Sequence, residues 1–446
     1  MESKFAYDTL NRVTGLSNAA ASYTYTLDGT VGNRTGVTEQ LATQTHPRIV
    51  GWGYDNIYRL TNENISADPN SKIGSVTYGL DPVGNRLSLG LSQGSNLPGI
   101  SPIQSGSITY DPDDRLSTES YDVNGNTLTT GGKTFAYDFE NRLKSMTEAS
   151  VAVTIQYDAD GNRVSKTANG VTTQYLVDDL NPTGYAQVVE EVTAGAVTRQ
   201  YTYGLQRISQ NQQIANAWTP SFYGYDGAGT VRLLTDSTGT VTDTYDYDAW
   251  GNTANTTGST PNVYRYRNEQ FDSDLDLYYL RARYFNPVSG RLLTRDPWAG
   301  VVTNPVTLHR YLYASGDPVG HGDPSGRDTM PMPWPQPQPR KIGVSEYVML
   351  ALAFALNPAV DRAVYNVGQT IKCWWVDIAD ELRGAANAAL LAVGGGGGAP
   401  DGGPGLLPYR PSKCRFTGEG MNPGTGGEGP KGKICIEVNP WAETRS

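Results

Sequence analysis

The stretch FAYDFENRLKSMTEASVAVTIQYDADGNRV, residues 135–164, decides the fold. An apolar residue and Tyr-Asp are followed by two or three turn-forming residues, an Asn-Arg pair and an aliphatic residue. Then the same string returns. The residues ahead of each Tyr-Asp alternate in polarity, as a half-buried strand does. Asp, Gly and Asn supply the positive-φ positions that tight hairpin turns need. Arg-Leu or Arg-Val opens the return strand. Working outward, the unit recurs as FAYDTLNRV (5–13), WGYDNIYRL (52–60) and ITYDPDDRL (108–116), and more loosely as YGLDPVGNRL (78–87), YGYDGAGTVRLL (223–234) and YDYDAWGN (245–252). A spacing of roughly 20 to 30 residues is that of stacked arrays. One such hairpin is marginal, whereas a stack buries a continuous face. The Tyr-Asp side chains of one strand and the Arg of the next are expected to form a repeated hydrogen-bonded ladder.

Composition agrees with many short strands and turns: 51 Gly and 28 Tyr against 8 Phe in 446 residues. The net charge is −10, yet the residues from Asp328 onward carry 11 basic and 11 acidic groups, so the acidity belongs to the repeats. An acidic, Tyr-rich array argues against a nucleic-acid surface there. No basic segment followed by an apolar core opens the chain, so no signal peptide is read. No apolar run approaches the roughly 20 residues of a membrane span.

Residues 278–326 close the array. They read YYLRARYFNPVSGRLLTRDPWAG, an aromatic-rich connector, and GDPVGHGDPSG, with Asp-Pro at Asp296 and Asp323. Two carboxylates in one low-dielectric site do not ionise together easily, so one holds a proton while the other activates water. A nearby Arg can hold one carboxylate ionised or stabilise an oxyanion. Asp-Pro-x-Gly is also a common turn signal, with Asp capping and Pro fixing φ.

The Tyr-Asp repeats, YYLRARYFNP, GRLLTRDP and DPSG together resemble the RHS/YD-repeat family, ending in its RHS-associated core, over roughly residues 5 to 327. The resemblance implies a mostly β fold: a spiralling strip of antiparallel YD hairpins forming part of a β shell around a C-terminal polypeptide, often a toxin. It implies an aspartic-type autoprotease with Arg283, Asp296 and Asp323 as catalytic residues and a cut near Gly326, Arg327 and Asp328. Its organisation is then a strip at 1–262, a core and end-plug at 263–327, a Pro-rich linker at 328–343, and a small α or α+β tail at 344–446. The partners implied are the chain's own tail as cargo, further shell segments or a secretion-system component, and a cognate immunity protein. Bacterial export by a non-classical route goes with these, and no cofactor or metal. Two features depart from the pattern. The family has Leu after DPxG where this chain has Arg327, which puts the cut in doubt if that side chain fills a pocket. Family shells also use many more repeats, which leaves two alternatives: a non-enzymatic surface or scaffold array, or a truncated, inactive element.

Other candidates are weaker. Asp158, Asp160 and Asn162 resemble the start of a calcium loop, but Asn169 stands where the bidentate Glu belongs. Asp272, Asp274 and Asp276 alternate as strand or turn acids do. His309 and His321 have no nucleophile at triad spacing. In the tail, a polyproline-like spacer (330–340) precedes helical patterns at 345–356 and 371–393 and a strand at 434–438. Cys373, Cys414 and Cys435 form no CxxC pair. The absence of His after His321 disfavours His-dependent nuclease chemistry in the tail.

Overall fold

In the computed structural model, residues 3–97, 108–327 and 329–331 are described. Asp328, the Pro-rich linker, the helical and strand patterns of the tail and the three cysteines lie outside the described residues.

The chain is mostly β. Eight strands, from Lys4–Tyr7 to Arg86–Leu91, form one sheet, and fourteen, from Ser120–Tyr121 to Thr253–Thr257, form a second. In both, spatial order is sequence order and every neighbouring pair is antiparallel. The repeats account for this. The register slips by one between Ala6 and Tyr7, Gly53 and Tyr54, Ala136 and Tyr137, and Gln156 and Tyr157, so a bulge recurs one residue before the Asp.

The turn after that bulge corrects the sequence reading. Only one residue per turn has positive φ, three places after the Asp: Asn11, Tyr58, Gly84, Asn141 and Gly161. The Asp holds the turn. Asp138 Oδ1 accepts the backbone N–H of Glu140 and of Arg142, each at 2.9 Å, and its Oδ2 lies 2.7 Å from Arg142 Nε. Asp8 and Asp55 hold Arg12 and Arg59 in the same way. In the Gly-Asn-Arg repeats Asn takes that place, as Asn85 does on Asp81, and the following Arg86 opens the return strand instead. The Asp–Arg bond is therefore local to each turn and not a rung between strands.

The Tyr of the repeat makes the cross-repeat bond. Tyr54 Oη donates to the carbonyl of Arg34 (2.7 Å), Tyr137 to Thr127 (2.9 Å), Tyr157 to Leu143 (3.0 Å) and Tyr225 to Arg207 (2.6 Å). Arginines stack on these rings, with Arg142 5.0 Å from the Tyr157 centroid. Tyr is favoured over Phe here because its hydroxyl finds a carbonyl in a buried setting.

The inner faces share a core. Leu60, Val76 and Tyr78 of the first sheet pack in one cluster with Val231, Leu234 and Tyr247 of the second. Buried polar groups also join the sheets: Arg232 forks onto Glu39 (2.6 and 2.9 Å), and Glu63 Oε2 accepts Ala249 N–H at 2.9 Å. A small four-stranded sheet, Gln270–Asp272 to Arg291–Leu292, sits against both. Its Phe285 is fully buried and stacks on Tyr313 with ring centroids 3.9 Å apart. Burying a side chain of this size contributes about 1.5–3 kcal/mol.

Candidate functional site

The small sheet builds the site. Strands Leu277–Leu280 and Arg283–Asn286 are joined by a two-residue turn in which Arg281 adopts φ +63°. Arg283 opens a strand whose first three residues are all buried, and only 6% of it is exposed. From there its guanidinium reaches three groups. Nη1 lies 2.9 Å from Asp296 Oδ2, an ion pair without an aligned hydrogen bond. Nη2 donates to Asp323 Oδ2 at 3.2 Å, and Nε donates to the carbonyl oxygen of Gly326. Asp323 is buried, whereas the Asp296 side chain keeps 15% of its surface exposed.

The loop that follows Asp323 is held tightly. Asp323 Oδ1 accepts the Ser325 hydroxyl (3.2 Å) and the Arg327 N–H (2.9 Å). Gly326 N–H donates to the Asp323 carbonyl at 3.3 Å. Gly326 has φ +70°, and a Cβ there would meet the Leu280 carbonyl oxygen at 2.3 Å, so both conformation and space require glycine. Met330–Pro331 then pairs with His321–Gly322. The Arg327 side chain is exposed and fills no pocket among the described residues.

Arg283, Asp296, Asp323, Gly326 and the Arg327 amide thus meet at one point. One feature differs from an aspartic dyad. A guanidinium stands between the two carboxylates, supplying a counter-charge where a dyad shares a proton.

Sequence reasoning passed over three contributors. Glu269 is buried and forks onto Arg281 (2.9 and 3.1 Å). Arg281 Nη1 donates to the Pro324 carbonyl. Ser325 accepts the Arg327 N–H at 3.0 Å. Ser325 lies inside DPSG and was available to inspection; Glu269 carries no local signal. A third Asp-Pro of the core, at Asp317, was also overlooked. It is buried, its Oδ1 accepts Gly320 N–H at 2.8 Å, and its Oδ2 lies 3.0 Å from His321 Nδ1.

The remaining candidates have structural partners. Asp158 Oδ1 is occupied by the N–H groups of Asp160 (3.0 Å) and Asn162 (2.8 Å). Asp272 pairs with Arg163 and Lys166, Asp274 with Lys166 at 3.0 Å, and Asp276 with Lys133 at 2.7 Å, docking the core onto the strip. Buried His309 bonds Asn85 Oδ1 through Nε2 at 2.9 Å and accepts Tyr311 N–H through Nδ1 at 3.1 Å. Burial, then the Arg291 charge, pushes its pKa down to about 3. No cluster of His, Cys, Asp or Glu that could hold a metal ion occurs among the described residues. Among them, too, no helix is long and apolar enough to cross a membrane.

Sequential antiparallel hairpins locked by Tyr and Asp, followed by a small sheet that holds an Asp-Pro-x-Gly loop, define a YD-shell protein. The chain belongs to the Teneurin YD-shell family, whose model matches residues 92–319, and so to the wider RHS/YD-repeat proteins. It is 38% identical over 216 residues to the tRNA nuclease WapA of Bacillus subtilis, a match covering 46% of this chain and 9% of WapA. It is 27% identical over 230 residues to salivary gland surface protein 1 of Aedes aegypti, covering 49% of this chain and 6% of that protein. The chain therefore spans under a tenth of these relatives. Among solved structures it resembles TcdB2-TccC3-Cdc42 (TM-score 0.58, 20% identity, 73% of this chain and 18% of that one). It also resembles the Photorhabdus luminescens Tc holotoxin pore (TM-score 0.59, 18% identity, 73% and 18%). At such identity these two show the fold.

Proposed function

We propose that this YD-shell chain cuts itself between Gly326 and Arg327, and that strip and core present the downstream residues as the cargo of a toxin-like shell. The observation that carries the reading is that one buried guanidinium, Arg283, touches Asp296, Asp323 and the Gly326 carbonyl oxygen.

Chemically, the arrangement suits hydrolysis. Asp296, the more open carboxylate, takes a proton from a water that attacks the Gly326 carbonyl carbon. Arg283 Nε already points at the carbonyl oxygen and stabilises the oxyanion as it forms. The bond to the Arg327 nitrogen then breaks. As it breaks, the proton held by Asp296 passes to that nitrogen, and the new Gly326 carboxyl gives up the second proton of the water to the same amine, whose ammonium is stabilised by Asp323 Oδ1, 2.9 Å from that nitrogen. The products are a C-terminal Gly326 carboxylate and an N-terminal Arg327. The exposed Arg327 side chain presents no obstacle, so the departure from Leu does not argue against the cut.

Intact mass of the purified chain tests the cleavage. Two fragments meeting at 326/327, absent from Asp296→Asn and Asp323→Asn, are expected. A full-length species that persists at neutral and mildly acidic pH, or variants cut as fast as the parent, overturns it and leaves the non-enzymatic scaffold reading. The cargo part is tested by adding protease to the uncut Asp296→Asn chain. The segment 344–446 should be digested more slowly than the same segment expressed alone; equal rates overturn encapsulation.

A further inference from the structure

The loop carrying the Gly326–Arg327 bond is gripped along its length by one short turn. Three consecutive carbonyls of the loop each receive a donor from three consecutive residues: Pro324 O from Arg281 Nη1, Ser325 O from Ala282 N–H (3.2 Å), and Gly326 O from Arg283 Nε. Arg283 and Ala282 hold Asp323, Ser325 and Gly326, and Arg281 adds the hold on the Pro324 carbonyl between them.

Arg281 is itself held from several sides. Its Nη1 meets both oxygens of buried Glu269, its Nε donates to the Ala186 carbonyl at 3.2 Å, and its guanidinium lies 5.2 Å from the Tyr185 ring centroid. Its backbone sits at φ +63°, a region that costs a non-Gly residue free energy and persists only where surroundings enforce it. This strained turn aims three donors at one loop.

Resting on the reading of the site as a self-cleaving one, we propose that Arg281, fixed by Glu269, is a positioning residue for the cleavage. It touches none of the reacting atoms. It sets the angle at which the Gly326 carbonyl meets Arg283, and a displacement of roughly 1 Å in such a group can cost about a hundredfold in rate.

Two measurements test this. The first is the self-cleavage rate. Arg281→Ala should slow it about 10- to 100-fold, Arg281→Lys should recover part of the loss by restoring a cation between Glu269 and the Pro324 carbonyl, and Glu269→Gln should slow it several-fold with the fold intact by circular dichroism. The second is trypsin nicking after Arg327, measured with Asp296 replaced by Asn so that the chain stays whole. Arg281→Ala should accelerate nicking about tenfold, since trypsin needs the loop released.

The outcomes separate. If the parent chain does not cut itself, the proteolytic reading fails and positioning for catalysis falls with it, while trypsin still reports whether Arg281 clamps the loop. If the parent cuts and Arg281→Ala cuts equally fast, the positioning role alone is overturned. Loss of cleavage without recovery in Arg281→Lys, and without faster nicking, also overturns it.

Discussion

Asp81–Asn85 and Asp323–Arg327 read DPVGN and DPSGR, and both are Asp-capped turns with glycine in the left-handed region at the fourth place. They differ in what happens to the Asp. Asp81 Oδ1 takes three backbone N–H groups, and its Oδ2 is closed off by Asn85 Nδ2 at 3.0 Å. The chain returns at once, with Leu80 opposite Arg86. In the second turn the fifth residue, Arg327, leaves its side chain in solvent, and Asp323 Oδ2 goes to Arg283. Return is delayed by two residues, with Gly322 opposite Met330. A repeat turn satisfies its own aspartate; the core turn leaves that aspartate for a residue forty positions away. The same local chemistry thus closes on itself in one place and reaches a distant guanidinium in the other.

The sharpest break between the two kinds of turn is charge removal. Arg283→Ala leaves two carboxylates without their shared counter-charge and should cost about 3–5 kcal/mol. Arg142→Ala removes a partly exposed pair within a repeat turn, worth about 1 kcal/mol at most. Urea unfolding of both variants compares them. Equal losses would mean the core site is no more tightly coupled than a repeat turn.

Glycine comes next. Gly161 has φ +85°, and the nearest atom to an added Cβ is Arg142 Nη1 at 3.8 Å, so Gly161→Ala should cost only the left-handed strain, about 1–2 kcal/mol. Gly326→Ala adds contact with backbone at Leu280 and Arg283, which cannot swing aside. It should destabilise by about 3 kcal/mol and abolish cleavage. Similar melting temperatures for the two variants would show that the 280–283 turn yields.

His309 gives the Asp81 turn a pH dependence of its own, since it donates to Asn85 there. Its folded pKa is pushed down to about 3 from an ordinary 6.5, so the unfolded chain binds the proton more readily. The stability it contributes is present above pH ~6.5 and is lost as pH falls toward 3. His309→Gln should flatten that acid slope. An unchanged slope would place the acid sensitivity elsewhere.

The strip was legible in the sequence because its determinants are local. Strand alternation, the Asp turn and the stacked order all lie within one repeat. What escaped was which residue meets which across repeats. The Tyr hydroxyl has a carbonyl partner 10 to 20 residues back, and Arg sits at the fourth or fifth place after the Asp with different fates, bound to its own turn's Asp as Arg142 or first in the return strand as Arg163. A one-residue difference in a degenerate motif is easily read as noise, yet in a strand it reverses the face. In the core, motif and resemblance single out Arg283, Asp296 and Asp323, which the fold brings together. Glu269 was not legible, because its tie to Arg281 exists only once the small sheet has formed.

The smallest effect is the most direct test of the comparison. Arg327→Asn gives the core turn the fifth residue of the Asp81 turn. Asn85 shows what that side chain does: its Nδ2 folds back onto the Asp Oδ2. At Asp323 the same oxygen is held by Arg283 at 3.2 Å, so the introduced amide would compete for it and draw the carboxylate toward its own turn. Competition with a neutral amide donor, worth about 1 kcal/mol against a charged one, should slow cleavage several-fold and leave stability unchanged. Arg327→Lys, which keeps a long, solvated cation at the exposed position, should cut at the parental rate. If both variants cut alike, the fifth residue does not decide the fate of the aspartate, and the difference between the turns must then come from the delayed return strand alone.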